Sequence, residues 1–495
     1  MGLKTVFFLV FCWTVDPYST PHLQIHRGWR WRLASAVHVS SPEVPSSSDI
    51  SSSRPPLELG SKAQFPIFSQ ERSSAETPQT YLDTAATSQK PKCVIDAISS
   101  YYSTTNSNVH RGAHSWGDGA TSGYEQCRST VANFVNPANP QPSGCVFTSG
   151  YTDGLNKILH SMEASNKFDA PCDVISSVME HHSNMVGWEL LSRRRPSVKV
   201  SYLPLSPDGY TLDLEKLSGI LSDPGSNVKV VSLLHASNTL GTINDLSKIL
   251  EIIRTSPSGK DICVIVDASQ SAPHTTLVPP SSLYFPDFVL FSGHKILGPT
   301  GIGVLYGVDG PESFEKFCPT PCWSGGEMID YVRLGGEAGG LDVVLSEKAP
   351  SLYESGTPNI AGVFGLDVAI QTVMATKVEE IHGYLSSLTD YMHGRLLSDI
   401  EGIEIMGPPR GEDRAPLISF RISGLHCQDI GSLLNLDEIM VRTGFHCTEP
   451  LHGSLGAGNM GGTVRASLGI YNDKDDVDRF VNGLKEVVKM LTANK

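Results

Sequence analysis

The sequence predicts an α/β protein with a large, mainly parallel sheet domain and a smaller C-terminal α+β domain. Three observations predict it. Short apolar runs recur between residues 144 and 307, helix-length segments separate them, and the rhythm changes near residue 351. The runs are GCVFTSG (144–150), CDVISSV (172–178), VKVVSLLH (228–235), ICVIVDAS (262–269), DFVLFSGH (287–294) and GVLYG (303–307). Continuous apolar stretches of this length fit strands buried on both faces, as in parallel sheets covered by helices. Ordered sequence begins near YLDTAATSQ (81–89), and an N-terminal arm with the large domain is expected over 76–350. The small domain, 351–495, opens with a long helical stretch (361–400), continues with PLISFRISG (416–424) and IMVRTGFHC, and ends in an amphipathic helix.

Length and charge narrow the class. With 495 residues, the chain exceeds one ordinary domain. Its formal net charge of -14 argues against nucleic acid, which needs clustered Lys and Arg, and against an anionic membrane surface. Ten cysteines are too sparse for a disulfide framework, and Cys318 and Cys322 have no second pair at zinc spacing, so no metal site is expected. The N-terminus differs in kind. Residues 1–20 carry Lys4 and an apolar core of signal-peptide length, and 21–75 form an acid-poor, then Ser- and Pro-rich segment. A signal peptide followed by a transit peptide implies a plastid reached through the secretory route. Mitochondrial delivery and secretion are the alternatives.

The residues that carry chemistry follow strands. Asp267 follows ICVIV, Lys295 follows DFVLFSGH, and HASNTLGT (235–242) follows VKVVSLL. Ligands in open α/β sheets gather at such strand ends. Alone, Asp267 reads as a helix cap, and GPTGIG is neither a P-loop nor a dinucleotide fingerprint. Together they match pyridoxal phosphate chemistry, which needs a lysine for the aldehyde and a carboxylate for the ring nitrogen. It also needs donors for the phosphate and a flat side chain over the ring. Ser292 and His294 flank Lys295 on the side where a phosphate would lie.

SGHKILGPTGIGVLYG (292–307), with MEHHSN (179–184), HASNTLGTIN (235–244), VDASQSAPH (266–274) and ESGTPN (354–359), resembles the class V, fold-type I pyridoxal phosphate enzymes. Within them it resembles the SUF-type (group II) cysteine desulfurase and selenocysteine lyase branch. The resemblance implies that Lys295 binds the cofactor covalently, Asp267 pairs with the pyridine nitrogen and Gln270 bonds the phenolic oxygen. It implies that His181 stacks on the ring and handles protons, and that Asn238 lies near ring and substrate. Thr152, Ser292 and His294 would hold the phosphate, with Thr357 reaching in from a second subunit of a homodimer. Arg465 in TVRASLGIYN would pair with the substrate carboxylate, as a bidentate guanidinium suits that anion. His110, Arg111 and Arg442 would line the substrate entrance. TSGYTDG (148–154) departs from the family's R-G-T-T-E, since Ser149 and Tyr151 replace an Arg and a Thr.

VRTGFHCTEP (441–450) decides the reaction. Cys447 follows Arg442 by five residues and adjoins His446, and nearby positive charge favours an attacking thiolate. The family reads R-T-G-H-H-C, and Phe445 here replaces the first His. The resemblance implies conversion of L-cysteine to L-alanine with a persulfide on Cys447. Few residues separate Cys447 from the preceding strand, so the thiol cannot swing far. A SufE-like or SufU-like acceptor and a SUF scaffold for iron–sulfur assembly are the implied partners. A selenocysteine lyase and a non-catalytic sulfur-system scaffold are the competing readings.

Overall fold

The computed structural model describes residues 55–69, 79–278, 282–335, 340–457 and 461–493. The expected signal peptide and residues 21–54 and 70–75 of the expected transit segment lie outside the described residues. Seven strands build the main sheet. They are β1 (Cys145–Thr148), β2 (Cys172–Ser177), β3 (Val198–Leu203), β4 (Val228–Leu234), β5 (Cys263–Asp267), β6 (Phe288–Ser292) and β7 (Gly303–Gly307), in the order β1-β7-β6-β5-β4-β2-β3. Strands β2 to β6 pair in parallel. Only β7 opposes its neighbours β6 and β1. Residues 293–302 are too short for a helical crossover, so the chain turns back on itself there.

Both sheet faces are buried. Along β6, Val289 and Phe291 join one core, and Phe288 and Leu290 join the other. The first core is roofed by α1 (Lys92–Ser100), α2 (Ser115–Val135) and α8 (Ile360–Thr376). Over the neighbouring strands the same face carries α5 (Leu214–Ser222) and α6 (Leu246–Thr255), while the other face carries α3 (Tyr151–Ala164), α4 (His182–Arg194) and α7 (Pro311–Phe317). An exposed hairpin comes next, β8 (Ile329–Leu334) with β9 (Leu341–Leu345).

The stretch expected as one long helix is two. At Lys377, φ reaches +66°, and α9 (Val378–Asp399) leaves α8 at 76°. Beyond it, β10 (Ile403–Met406), β11 (Leu417–Ile422), β12 (Arg442–Gly444) and β13 (Thr463–Ser467) form an antiparallel sheet in the order β10-β11-β13-β12. Helices α10 (Cys427–Leu436) and α12 (Lys474–Ala493) pack together beside it, while the short α11 (Glu449–Ser454) comes after β12.

Residues 55–69, inside the segment expected as a transit peptide (21–75), fold against the rest of the chain. Phe65 is fully buried with its ring 5.0 Å from that of Tyr471, and Lys62 Nζ lies 2.5 Å from Asp476. The Gly60 amide donates to the Ile470 carbonyl at 2.7 Å. Leu57 stands in PPLEL and Phe65 in FPIF, short apolar clusters interrupted by proline and polar residues, so no helical or strand period marked them as core.

Candidate active site

A cleft of about 670 Å³ opens where the carboxyl ends of the main sheet meet the small domain. Lys295 enters it from the 3₁₀ turn Gly293–Lys295 that follows β6, and Asp267 enters from the end of β5. Burial pulls the Lys295 ammonium down to about 8, with Arg465 and Arg442 acting in the same direction, against the pull of Asp267 and Cys447. Burial raises the Asp267 carboxyl, which Lys295 and the Ser269 amide, a donor at 2.8 Å, partly offset. An amine that loses its proton near neutrality is a nucleophile.

The turn under Lys295 is gripped from the N-terminal arm. The His294 carbonyl accepts from the Ser88 amide (3.1 Å) and hydroxyl (3.0 Å), the Thr87 hydroxyl (3.2 Å) and the Lys90 ammonium (2.9 Å). The Ser88 hydroxyl oxygen also takes the Leu297 amide at 2.9 Å.

His181 caps α4, its Nδ1 accepting from the Ser183 amide at 3.2 Å. Burial, then Lys295, pulls this imidazole down to about 4, so it is neutral at physiological pH. The Ser183 hydroxyl accepts from Thr152 at 2.9 Å, in the first turn of α3. The Ser292 hydroxyl oxygen accepts the Tyr151 amide at 3.0 Å. His294 is likewise pulled down to about 4, by burial and then by Lys295 and Lys90. The α3 N-terminus, two hydroxyls and Lys295 thus face one corner of the cleft, a setting that favours an anion.

The opposite wall comes from the small domain. Arg442 sits on β12 and Arg465 on β13, and both reach Asp83: Arg465 Nη2 at 3.0 Å and Arg442 Nη1 at 3.7 Å. Arg465 Nη1 also donates to the Asn238 carbonyl at 3.0 Å, and Asn238 Nδ2 donates to the His446 carbonyl at 2.8 Å. Cys447 lines the same cleft. Its carbonyl accepts the His182 amide at 2.9 Å. His446 and Cys447 both take left-handed backbone angles, φ +51° and +59°.

The cleft thus brings together Lys295, Asp267, His181, Asn238, Thr152, Ser292, His294, Arg442, Arg465, His446 and Cys447. Four expected residues lie elsewhere in this chain, one of them Arg111, which donates to the Ile329 carbonyl at 3.2 Å and lies 3.9 Å from Glu327. Gln270 lines an adjoining apolar cavity that also touches Lys295, and its amide is committed to the Ala85 carbonyl at 2.8 Å. His110 lines a different cavity, where it meets Glu125 at 3.0 Å and Glu327 at 3.7 Å. Thr357 is exposed, between two residues of that second cavity. Phe445, in place of the family's histidine, sets its ring edge against His452 at 5.5 Å. Sequence reasoning missed Asp83 and Ser269. Asp83 stands in the quoted YLDTAATSQ stretch, but nothing local ties it to Arg465, 382 residues away.

The aminotransferase class-V family model matches residues 80–480. A protein of Synechocystis sp. named "Probable cysteine desulfurase" is 36% identical over 439 residues, spanning 88% of this chain and 97% of its own. A protein of the same name from Halalkalibacterium halodurans is 38% identical over 425 residues, 86% of this chain and 96% of its own. Among solved structures, the apo cysteine desulfurase of Thermococcus onnurineus superposes with a TM-score of 0.76 at 31% identity, over 88% of this chain and all of that one. The chain belongs to the class V aminotransferase family, in its cysteine desulfurase branch. Pyridoxal phosphate is the cofactor implied by this family, and the desulfurase cleft fits it. Four buried polar atoms of cleft residues have no partner among the described residues: Tyr151 Oη, Ser269 Oγ, His446 Nδ1 and Arg465 Nε. A large polar ligand suits such a lining. Lys295, Asp267 and the α3 N-terminus would meet its aldehyde, ring nitrogen and phosphate.

Proposed function

We propose that the protein removes sulfur from L-cysteine, leaving L-alanine and a persulfide on Cys447. The observation that carries this is the meeting of Lys295 and Cys447, from different domains, in one cleft with Asp267 and Arg465. When bound, the pyridinium ring supplies an electron sink for the pair at the substrate α-carbon. Arg465, already held by Asp83, orients the substrate carboxylate. Lys295 Nζ, basic enough near pH 8, takes the α-proton. The neutral His181 ring would cover the cofactor plane, and its Nε2–H would supply a proton to the carbon that sulfur leaves. The Cys447 sulfur attacks the substrate sulfur. The carbon–sulfur bond breaks, its electron pair stays with carbon and takes a proton there, and the new sulfur–sulfur bond remains on Cys447.

We further propose that the persulfide passes to a thiol-bearing acceptor of the SufE or SufU kind for iron–sulfur assembly, as the tethered arch of Cys447 favours. The enzyme works as a homodimer. The exposed Leu334, Leu341 and Val343 of the hairpin support that reading, as does the exposed Thr357. The plastid is its compartment, and fusing residues 1 to about 75 to a reporter tests that, with diffuse cytosolic signal as the refuting outcome. For the reaction itself, the reconstituted enzyme is given L-cysteine and a reductant, and alanine and sulfide are measured. Equal amounts of both are expected, with none from Cys447→Ala. Full turnover by that variant would refute the nucleophile.

A further inference from the structure

Cys447 stands on a backbone arch with two successive left-handed residues. Left-handed angles at His446 and Cys447 cost about 1–2 kcal/mol each and persist only where the surroundings impose them. The Thr448 amide (2.8 Å) and hydroxyl (2.9 Å) close the arch on the Phe445 carbonyl, and two bonds dock it: Asn238 Nδ2 to the His446 carbonyl and the His182 amide to the Cys447 carbonyl. A further hold is the His446 ring, whose Nε2 lies 2.9 Å from the Thr463 hydroxyl on β13. On its far side, the same hydroxyl lies 3.2 Å from Nε2 of His452 on α11. We propose that Thr463 and His452 are positioning residues, a one-way hydrogen-bond relay that fixes the His446 ring and with it the arch carrying Cys447. No sulfur chemistry requires either residue, and neither lines the cleft.

The direction of the relay is set by counting protons. His452 Nδ1 lies 3.0 Å from the Thr448 carbonyl, which can only accept, so Nδ1 carries a hydrogen. The His452 ring is fully buried, and burial keeps it neutral, so its Nε2 is an acceptor. The Thr463 hydroxyl has one hydrogen and gives it to that Nε2. Its oxygen then accepts from His446, which must be the Nε2–H tautomer. Burial and Arg465 keep His446 neutral as well. The remaining lone pair, on His446 Nδ1, is the buried atom without a partner. With the Thr448 hydroxyl, 3.3 Å from His452 Nδ1, giving its own hydrogen to the Phe445 carbonyl at 2.9 Å, the hydrogens on His452 Nδ1, Thr463 Oγ1 and His446 Nε2 each have an acceptor.

The inference rests on Cys447 as the reactive thiol, but its test needs no turnover. In protein labelled with ¹⁵N-histidine, NMR should show His446 as the Nε2–H form and His452 as the Nδ1–H form. Thr463→Val should abolish the single His446 tautomer and speed iodoacetamide alkylation of Cys447, read by mass spectrometry, roughly threefold or more as the arch loosens. Thr463→Ser should restore both. His452→Met removes the acceptor by another route, should Thr463→Val fail to fold. Unchanged His446 signals in these variants, or wild-type alkylation rates, overturn the proposal. A purified enzyme that makes no alanine would sink the desulfurase reading while leaving both of these readouts intact.

Discussion

At Lys295 the reactive form is the free base, and its fraction falls tenfold for each pH unit below the amine's midpoint. Because burial lowers that midpoint to about 8, uptake of pyridoxal phosphate by the apoprotein should quicken from about pH 6 to 8 and level off above. Stopped-flow absorbance measures it, and a flat profile would contradict the assignment. Asp83 gives a second prediction. It is the only carboxylate paired with both Arg465 and Arg442 among the described residues. Asp83→Asn should raise KM for cysteine about tenfold while changing kcat little, since it loosens the carboxylate clamp and not the thiol. A change confined to kcat would count against that role. Legibility at this scale tracked sequence distance. Lys295, Asp267 and Cys447 sit in stretches whose chemistry is local, whereas Asp83, Ser269, Thr463 and His452 acquire meaning only from contacts across the fold.

Helix α3 reaches the cleft through a turn that admits no side chain opposite it. A Cβ on Gly303 of β7 would lie 2.5 Å from Gly150 Cα, against backbone that cannot swing aside. Gly303→Ala should cost about 1–3 kcal/mol of stability and weaken cofactor binding, by displacing the α3 N-terminus. Gly219→Ala on α5, where nothing stands within 4 Å, is the control. Equal melting curves and cofactor affinities for both variants would refute the argument. The elements themselves were legible where both faces are buried. Six of the seven main strands read as apolar runs, while edge strand β3, VKVSYL, is only part-buried and shows none. The break at Lys377 was hidden because the sequence on both sides of it is helical; only a positive φ at a non-glycine residue divides them.

For the whole molecule, residues 55–69 are part of the fold. They cover the small domain through Phe65, Leu57 and the Lys62–Asp476 pair, and full burial of two such apolar side chains is worth about 3–6 kcal/mol as an upper estimate. A chain starting at residue 79 should therefore melt well below one starting at 55. Equal midpoints in calorimetry would show the segment to be dispensable. Analytical ultracentrifugation tests the homodimer, with a monomer at micromolar concentration as the refuting result. The main sheet was legible from its apolar runs, but this N-terminal cover was not, since a few anchoring side chains leave no pattern. The arm also ties the molecule's history to its chemistry. The ribosome releases Thr87, Ser88 and Lys90 some two hundred residues before the peptide group they seize. Until that late segment emerges, the strap has nothing to hold. A protease that later clipped it would leave a well-packed sheet whose one essential amine had lost its mooring.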